Sequence, residues 1–344
     1  MKLLLWLLLV LSLFACSNEN VINDTSNTWS VLAASNSPDN RLLTIEFPSG
    51  KVTNNDVYGS ANANKLSSIP RVMFEFGGFI FLVKPADFQI EVIDAKTYVS
   101  KHVIDFTSEN KKPLSIAFAP NATAAYVIFE QDSTVDIIDL TVMKVARSIT
   151  LNGIASSIAL SGNQVFVTCP EINKLAVIDT RDNKLKDEID VPKYPVLVTL
   201  TYDDLNIVVV SAGSGKFDTT SEKTDAFVSL FDVNTKTEVS RQPLGIGIVN
   251  PKEQIPLALA TAQRLYAFIG TNEYLLQFNT RTGTVPARLK NGKFVSVLFN
   301  ERRNEMIFLR DDGSSRTLLT YDAENKKNIL EIQLPDGVVN VLPL

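Results

Sequence analysis

An acidic or amide side chain recurs at the end of seven short apolar segments. Oxygen-bearing side chains of this kind suit divalent cations, and paired carboxylates can act as general acid and base. Each member, however, comes directly before a turn, where its oxygen can accept hydrogen bonds from nearby backbone N–H groups. We therefore expect a structural role for the column. Its members are Glu46, Asp94, Asp139, Asp179, Asp232, Asn279 and Asp322.

Other residue types with catalytic chemistry are few. The chain has one histidine, His102, and two cysteines, Cys16 and Cys169. These numbers argue against a disulfide framework, a histidine metal cluster and a Ser-His-Asp triad. We expect Cys169, which ends an apolar segment beside Pro170, to be a packing residue, and His102 to be solvated. The sequence thus predicts no catalytic residue, no metal site and no cofactor.

The segment Ala212-Gly-Ser-Gly-Lys216 has the glycines and the lysine of a phosphate-binding loop. Such a loop also needs a glycine where Val210 stands and a serine or threonine where Phe217 stands. Because neither position has the required residue, we interpret the segment as a flexible insertion.

The elements around these residues repeat with a period of about 46 residues. The acid-terminated segments follow one another at spacings between 40 and 53 residues. Each unit holds four segments rich in β-branched and aromatic residues, separated by Asp, Asn, Gly and Pro. Four strands in 40 to 50 residues are typical of a β-propeller blade, whereas a sandwich domain needs about 100 residues.

The two chain ends predict how the ring closes. The first unit starts at Trp29 with the equivalent of a second strand, and the chain ends with the unpaired strand-like segment Val338–Leu342. Pairing these ends would remove two exposed sheet edges. The prediction is an all-β, seven-bladed β-propeller over residues 28–344, with four-stranded antiparallel blades. Six or eight blades remain as alternatives.

The repeat also resembles a known family. Val165-Phe-Val-Thr168 followed by Leu175-Ala-Val-Ile-Asp179 is similar to the YVTN-type repeat, and Pro113 and Pro195 stand where blades of that family begin. The segment from Asn54 to Asp94 resembles the start of uncharacterised envelope lipoproteins. One branch of these propeller lipoproteins binds cobalamin, which makes small-molecule capture an alternative function. The chain has no motif that we can match to that site.

The predicted innermost strands bear on a further alternative, a metal-dependent hydrolase or lactonase. Propeller enzymes of this kind hold a divalent cation with acidic or amide groups around the central channel. Here Glu75 is the only charged residue and Asn340 the only amide on the seven predicted inner strands. Since an oxygen-rich cation site needs about six ligands, the carboxylates of such an enzyme would have to come from loops.

The amino terminus predicts export. Lys2 precedes an apolar run from Leu3 to Ala15, which is too short to span a bilayer but has the length of a signal-peptide core. The sequence Leu13-Phe-Ala-Cys16 resembles the lipobox of bacterial lipoproteins, although Phe14 replaces a residue that is usually small. The resemblance implies a signal peptide over 1–15, a lipid on Cys16, a flexible tether over 16–27 and sorting to the outer membrane. An ordinary signal peptide remains the alternative.

Composition and loop lengths complete the functional prediction. The net charge of −5, with no cluster of basic residues, disfavours a nucleic-acid partner. Two long links, Ser211–Ala226 and Leu244–Pro256, should project from the same side of the disc. We therefore expect a non-catalytic platform for an envelope protein or a small ligand, held to the membrane by its lipid alone. The candidate contact residues are Phe88, Lys216, Phe217, Asp218, Ile246, Ile248 and Asn250.

Overall fold

The chain forms an all-β ring of seven antiparallel, four-stranded sheets, which is the architecture of a seven-bladed β-propeller. The computed structural model describes residues 28–201, 203, 205–214, 223–250, 257–260, 266–300, 303–322, 325 and 327–344. The strands of its first half are β1 (Trp29–Ser35), β2 (Arg41–Phe47), β3 (Lys51–Asn54), β4 (Val72–Phe76), β5 (Phe79–Lys84), β6 (Gln89–Asp94), β7 (Ser100–Asp105), β8 (Pro113–Phe118), β9 (Ala124–Phe129), β10 (Thr134–Asp139), β11 (Lys144–Thr150), β12 (Ser157–Ser161), β13 (Gln164–Cys169) and β14 (Lys174–Asp179). The strands of the second half are β15 (Lys184–Asp190), β16 (Pro195–Leu200), β17 (Asn206–Ser211), β18 (Ala226–Asp232), β19 (Glu238–Gly245), β20 (Leu257–Ala260), β21 (Tyr266–Gly270), β22 (Tyr274–Asn279), β23 (Thr284–Asn291), β24 (Lys293–Asn300), β25 (Glu305–Asp311), β26 (Arg316–Asp322), β27 (Lys327–Gln333) and β28 (Val338–Pro343).

Blade 1 contains both ends of the described chain. Its strand order from the ring axis outward is β28-β1-β2-β3, and blades 2 to 7 follow as consecutive groups of four strands from β4 onward. Leu32 of β1 lies opposite Leu342 of β28, and the Leu344 N–H donates to the Ser30 carbonyl at 3.1 Å. The predicted closure and blade count are confirmed.

The burial of each strand follows from its place in the blade. The middle strands are covered by neighbouring blades on both faces, so they consist of continuous apolar runs such as the Ile207-Val-Val-Val210 core of β17. The outermost strands border solvent, and β11 is exposed at every residue except Ile149. This gradient explains why the repeat is visible in the sequence.

Seven separate hydrophobic clusters fill the seven junctions between adjacent blades. Alternate residues of one strand enter different clusters because successive side chains point to opposite faces. Val31 and Ala33 of β1 pack towards blade 7, whereas Leu32 and Ala34 pack towards blade 2. The apolar side chains are therefore buried between blades all the way round the ring.

The links between strands project from the two flat sides of the disc. We call one side the turn face, which carries the links between the first and second strands and between the third and fourth strands of each blade. We call the other side the loop face, which carries the links between second and third strands and between successive blades. Both Trp29, at the start of β1, and Leu344 lie on the turn face, since Trp29 pairs with Phe47 at the end of β2.

The link between blades 1 and 2 contains an element that the sequence did not predict. Helix α1 (Val57–Asn62) begins where the Asp56 carboxylate accepts the Gly59 N–H at 2.8 Å. It covers the junction of these blades with Val57 and Tyr58. The helix packs against β2 of blade 1, whose outer strand β3 has only four residues.

The inner strands differ slightly from the prediction. Strand β24 begins at Lys293 and ends at Asn300, so a second charged residue and a second amide belong to the inner strands. Asn340 donates to the Arg71 carbonyl at 3.0 Å, which ties blade 1 to blade 2. Among the described residues no helix is long and apolar enough to cross a membrane.

Candidate functional site

The repeated acidic column organises the turns of the turn face. In six of its members the side-chain oxygen accepts a backbone N–H two or three residues ahead; Asp94, for example, accepts those of Lys96 at 3.0 Å and Thr97 at 2.8 Å. Hydrogen bonds from Thr97 hold the pKa of Asp94 below its usual value. The predicted structural role is therefore confirmed for Asp94, Asp139, Asp179, Asp232, Asn279 and Asp322. Glu46 instead accepts the Ser49 hydroxyl at 3.4 Å.

The link after β19 presents one apolar side chain on the loop face. Ile246 is 45% exposed and stands between Gly245 and Gly247, whose φ angles are +110° and +69°. Only glycine adopts such conformations at little cost. The turn therefore lifts Ile246 away from the body of the blade.

The rest of this link is fastened to the core. Ile248 and Val249 are buried in the cluster between blades 5 and 6, and the Tyr274 hydroxyl donates to the Leu244 carbonyl at 3.2 Å. Ile248, a predicted contact residue, therefore anchors the link and offers little surface to a partner. Asn250 is half-buried at the end of the described part of this link.

The insertion between β17 and β18 leaves the same part of the loop face through a closed base. The Ser214 N–H donates to the Thr224 hydroxyl, and the Thr224 N–H donates to the Ser214 hydroxyl, both at 2.8 Å. Gly213 has φ +66°, and a Cβ there would lie 2.3 Å from the Asp225 carbonyl oxygen. Only glycine fits at this position. The predicted contact residues Lys216, Phe217 and Asp218 lie outside the described residues.

The insertion between β17 and β18 and the link after β19 are anchored in the same hydrophobic cluster. Ala212 and Ala226, which flank the insertion, belong to the same buried cluster as Leu244 and Ile248. The structure therefore places the base of the insertion and the base of the Ile246 link in one cluster on the loop face.

Phe88 lies on the same face but in a different sector. It is half-buried in the link between β5 and β6 of blade 2, three blades away from blade 5 in the ring. The Lys112 ammonium lies over the Phe88 ring, 5.5 Å from the ring centroid. A single small partner could not contact both Phe88 and Ile246.

A buried polar cluster beside α1 was missed by sequence reasoning. The Lys84 ammonium, whose side chain is 1% exposed, lies 2.8 Å from a Glu91 carboxylate oxygen. Glu91 also accepts the Tyr58 hydroxyl at 2.7 Å and the Ser100 hydroxyl at 2.6 Å. Burial raises the pKa of Glu91, but the donors Lys84, Ser100 and Tyr58 outweigh it, so that the net shift is downward. Because its members hold one another, we interpret the cluster as structural.

A groove of about 410 Å³ opens on the rim between blades 2 and 3. Lys111 and Asp136 lie in it as an ion pair at 3.0 Å, and the Lys111 ammonium sits 4.9 Å above the Phe129 ring. The two charged groups buried in the groove, Lys111 and Asp136, thus already contact protein partners.

The single histidine is exposed and Cys169 is buried, as the sequence predicted. His102 is exposed on the outer strand β7. Cys169 is fully buried, and burial raises the pKa of its thiol to about 12, as suits a packing residue. No group of three or more His, Cys, Asp or Glu side chains within the described ranges could hold a metal ion. The proposed lipid-bearing Cys16 lies outside them.

Comparison with known proteins supports the fold class. No family model matches the sequence, and no curated protein matches it either. Among solved structures, the chain is similar to one described as Kuenenia stuttgartiensis Hydrazine Synthase. The TM-score is 0.62 at 15% identity, and the match covers 80% of this chain and 93% of that chain. At this identity the likeness shows a shared β-propeller fold and carries no information about activity.

Proposed function

We propose that the protein is an envelope lipoprotein that acts as a non-catalytic binding platform through its loop face. Lipid attachment at Cys16 and sorting to the outer membrane rest on the sequence pattern of the amino terminus. The propeller contributes a rigid support, since every blade junction is filled by apolar side chains.

The observation that carries this proposal is the pair of links in blade 5. Ile246 is held in an exposed position by glycines on a buried base, next to an insertion whose own base is closed by Ser214 and Thr224. Long links on a rigid scaffold are typical carriers of binding. An exposed aliphatic side chain on a well-supported turn can act as an anchor that fills a pocket of the partner.

The test compares capture of envelope proteins by the lipidated protein and by matched variants. We expect Ile246→Asp to lower the affinity for the specifically captured partner at least about tenfold, which corresponds to about 1.4 kcal/mol. Val239→Asp is the control, because Val239 is 58% exposed on the outer strand β19 of the same blade but lies away from the loop face. Thermal unfolding of both variants should match the unchanged protein.

Removal of Thr219–Lys223 provides an independent variant. The deletion spares Ser214 and Thr224, so we expect the fold to survive and partner capture to be lost. Unchanged capture by both this variant and Ile246→Asp would exclude blade 5 of the loop face as the binding surface.

A further inference from the structure

The described chain begins and ends on the turn face. Trp29 opens β1 beside Phe47, stacked on its ring at a centroid distance of 4.6 Å. The Arg303 guanidinium lies 5.9 Å from the Trp29 ring centroid. Any lipid attached upstream of Trp29 is therefore connected to the disc on this side.

The length of chain between Cys16 and Trp29 limits how the disc can sit on a membrane. These residues are 13 positions apart in the sequence, so the connection spans at most about 45 Å even if fully extended. If the loop face lay on the membrane, the chain between Cys16 and Trp29 would have to reach from one side of the disc to the other. It would first pass outward over β2 and β3, about 10 Å, and then along the length of a seven-residue strand, about 23 Å. This path of about 33 Å is longer than the roughly 20 Å that a flexible connection of this length typically spans. If the turn face lies on the membrane, the chain can run directly from Trp29 to the lipid.

Two exposed apolar side chains on the turn face suit contact with a lipid surface. Val142 and Leu205 lie at the tips of its turns and are 57% and 54% exposed. Trp29 combines an apolar ring with an N–H donor, the amphipathic character that favours the membrane interface.

We infer that the disc stands with its turn face towards the lipid surface, so that the loop face and Ile246 point away from the membrane. This inference rests on the proposed anchoring at Cys16. It assigns the two faces different partners: lipid on one side, and the binding partner of the platform on the other.

Trp29 is a natural reporter for the test. The chain has two tryptophans, and the other, Trp6, lies in the proposed signal peptide. Lipidated protein would be incorporated into vesicles of phosphatidylethanolamine and phosphatidylglycerol that carry dansyl-labelled headgroups. Energy transfer from tryptophan to dansyl falls steeply with distance and so reports the height of each site above the lipid. We would compare the unchanged protein with Trp29→Phe proteins that also carry Val142→Trp or Ile246→Trp.

We expect transfer from Trp29 and from the Val142→Trp site to exceed transfer from the Ile246→Trp site several-fold. Equal transfer from the two introduced sites, or stronger transfer from Ile246→Trp, would overturn the orientation. Cys16→Ser, which removes the attachment point, should abolish transfer from all sites. If the unchanged protein does not associate with vesicles, anchoring itself is wrong and the orientation falls with it. Association with the opposite ranking of sites rejects only the orientation.

Discussion

The turn face and the loop face of this propeller are built by different means. On the turn face, one short motif repeats, in which an Asp or Asn side chain accepts the backbone N–H groups of the turn that follows, as in Asp94 and Asn279. On the loop face, each irregular segment has its own support: the Lys84–Glu91 cluster beside α1, and the Ser214–Thr224 base in blade 5. The turn face thus repeats one motif in six blades. The loop face combines a 3-10 turn shared by blades 2 and 4, Pro85–Asp87 and Pro170–Ile172, with longer segments that occur in single blades.

The comparison predicts that substitutions in the supports of the loop face cost more stability than substitutions in the repeated turns. The largest effect should come from Glu91→Ala. It removes the closest ionic partner of the buried Lys84 ammonium, and we expect a loss of about 3 kcal/mol in the free energy of unfolding, measured by urea denaturation. The double variant Lys84→Met, Glu91→Leu should recover most of this loss, because both buried charges are removed together. Asp87, which also contacts Lys84 at 3.2 Å, is partly exposed and keeps its hydrogen bond from the Ser67 hydroxyl. A loss below that of the turn variants would reverse the comparison.

The ionisation of Glu91 adds a pH dependence. Its pKa lies below the usual value in the folded protein, so the folded state binds fewer protons than the unfolded state as the pH falls. The contribution of the cluster is therefore present at neutral pH and is lost as the pH falls through the folded-state pKa. The stability difference between the unchanged protein and the double variant should shrink in acid.

Two glycines provide a matched pair with an intermediate effect. Gly213, at the base of the insertion, has φ +66° and a backbone oxygen 2.3 Å from its virtual Cβ, whereas Gly162, on the turn face, has φ +51° and no atom within 4 Å. Gly162→Ala should cost about 1 kcal/mol from backbone strain alone. Gly213→Ala should cost about 2 kcal/mol, because the clash is added to the strain. Similar losses in thermal unfolding would contradict the closed base.

The smallest effects belong to the repeated turns. Asn279 accepts the N–H groups of Arg281 and Thr282, each at 2.9 Å. Asn279→Ala should cost about 1 kcal/mol, the typical value of such a hydrogen bond. Asn279→Asp should be nearly neutral, because aspartate occupies the equivalent place in five other blades. A large loss for Asn279→Asp would show that blade 6 uses this turn differently.

The sequence sufficed for the elements that depend on local repetition. The seven strands that end in an acid or amide, the pairing of the tail with the first blade and the common face of the two blade 5 links were all predictable, because blade order is set by chain order. The sequence did not predict α1, nor the approach of Lys84 to Glu91. Neither has a repeating pattern, and a lysine near a glutamate in sequence is more often a solvated pair than a buried one. Ile248 was predicted as a contact residue because an apolar residue in a long link looks exposed; its burial depends on blade 6.

By itself, the sequence determined the number of blades, the order of their strands and the turns that join them, since each follows from apolar periodicity and nearby hydrogen bonds. Only the tertiary structure decided which link residues are exposed, which charges are buried, and how far apart Phe88 and Ile246 stand on their shared face. These properties depend on contacts between distant segments, whose geometry is set when the ring closes between β1 and β28.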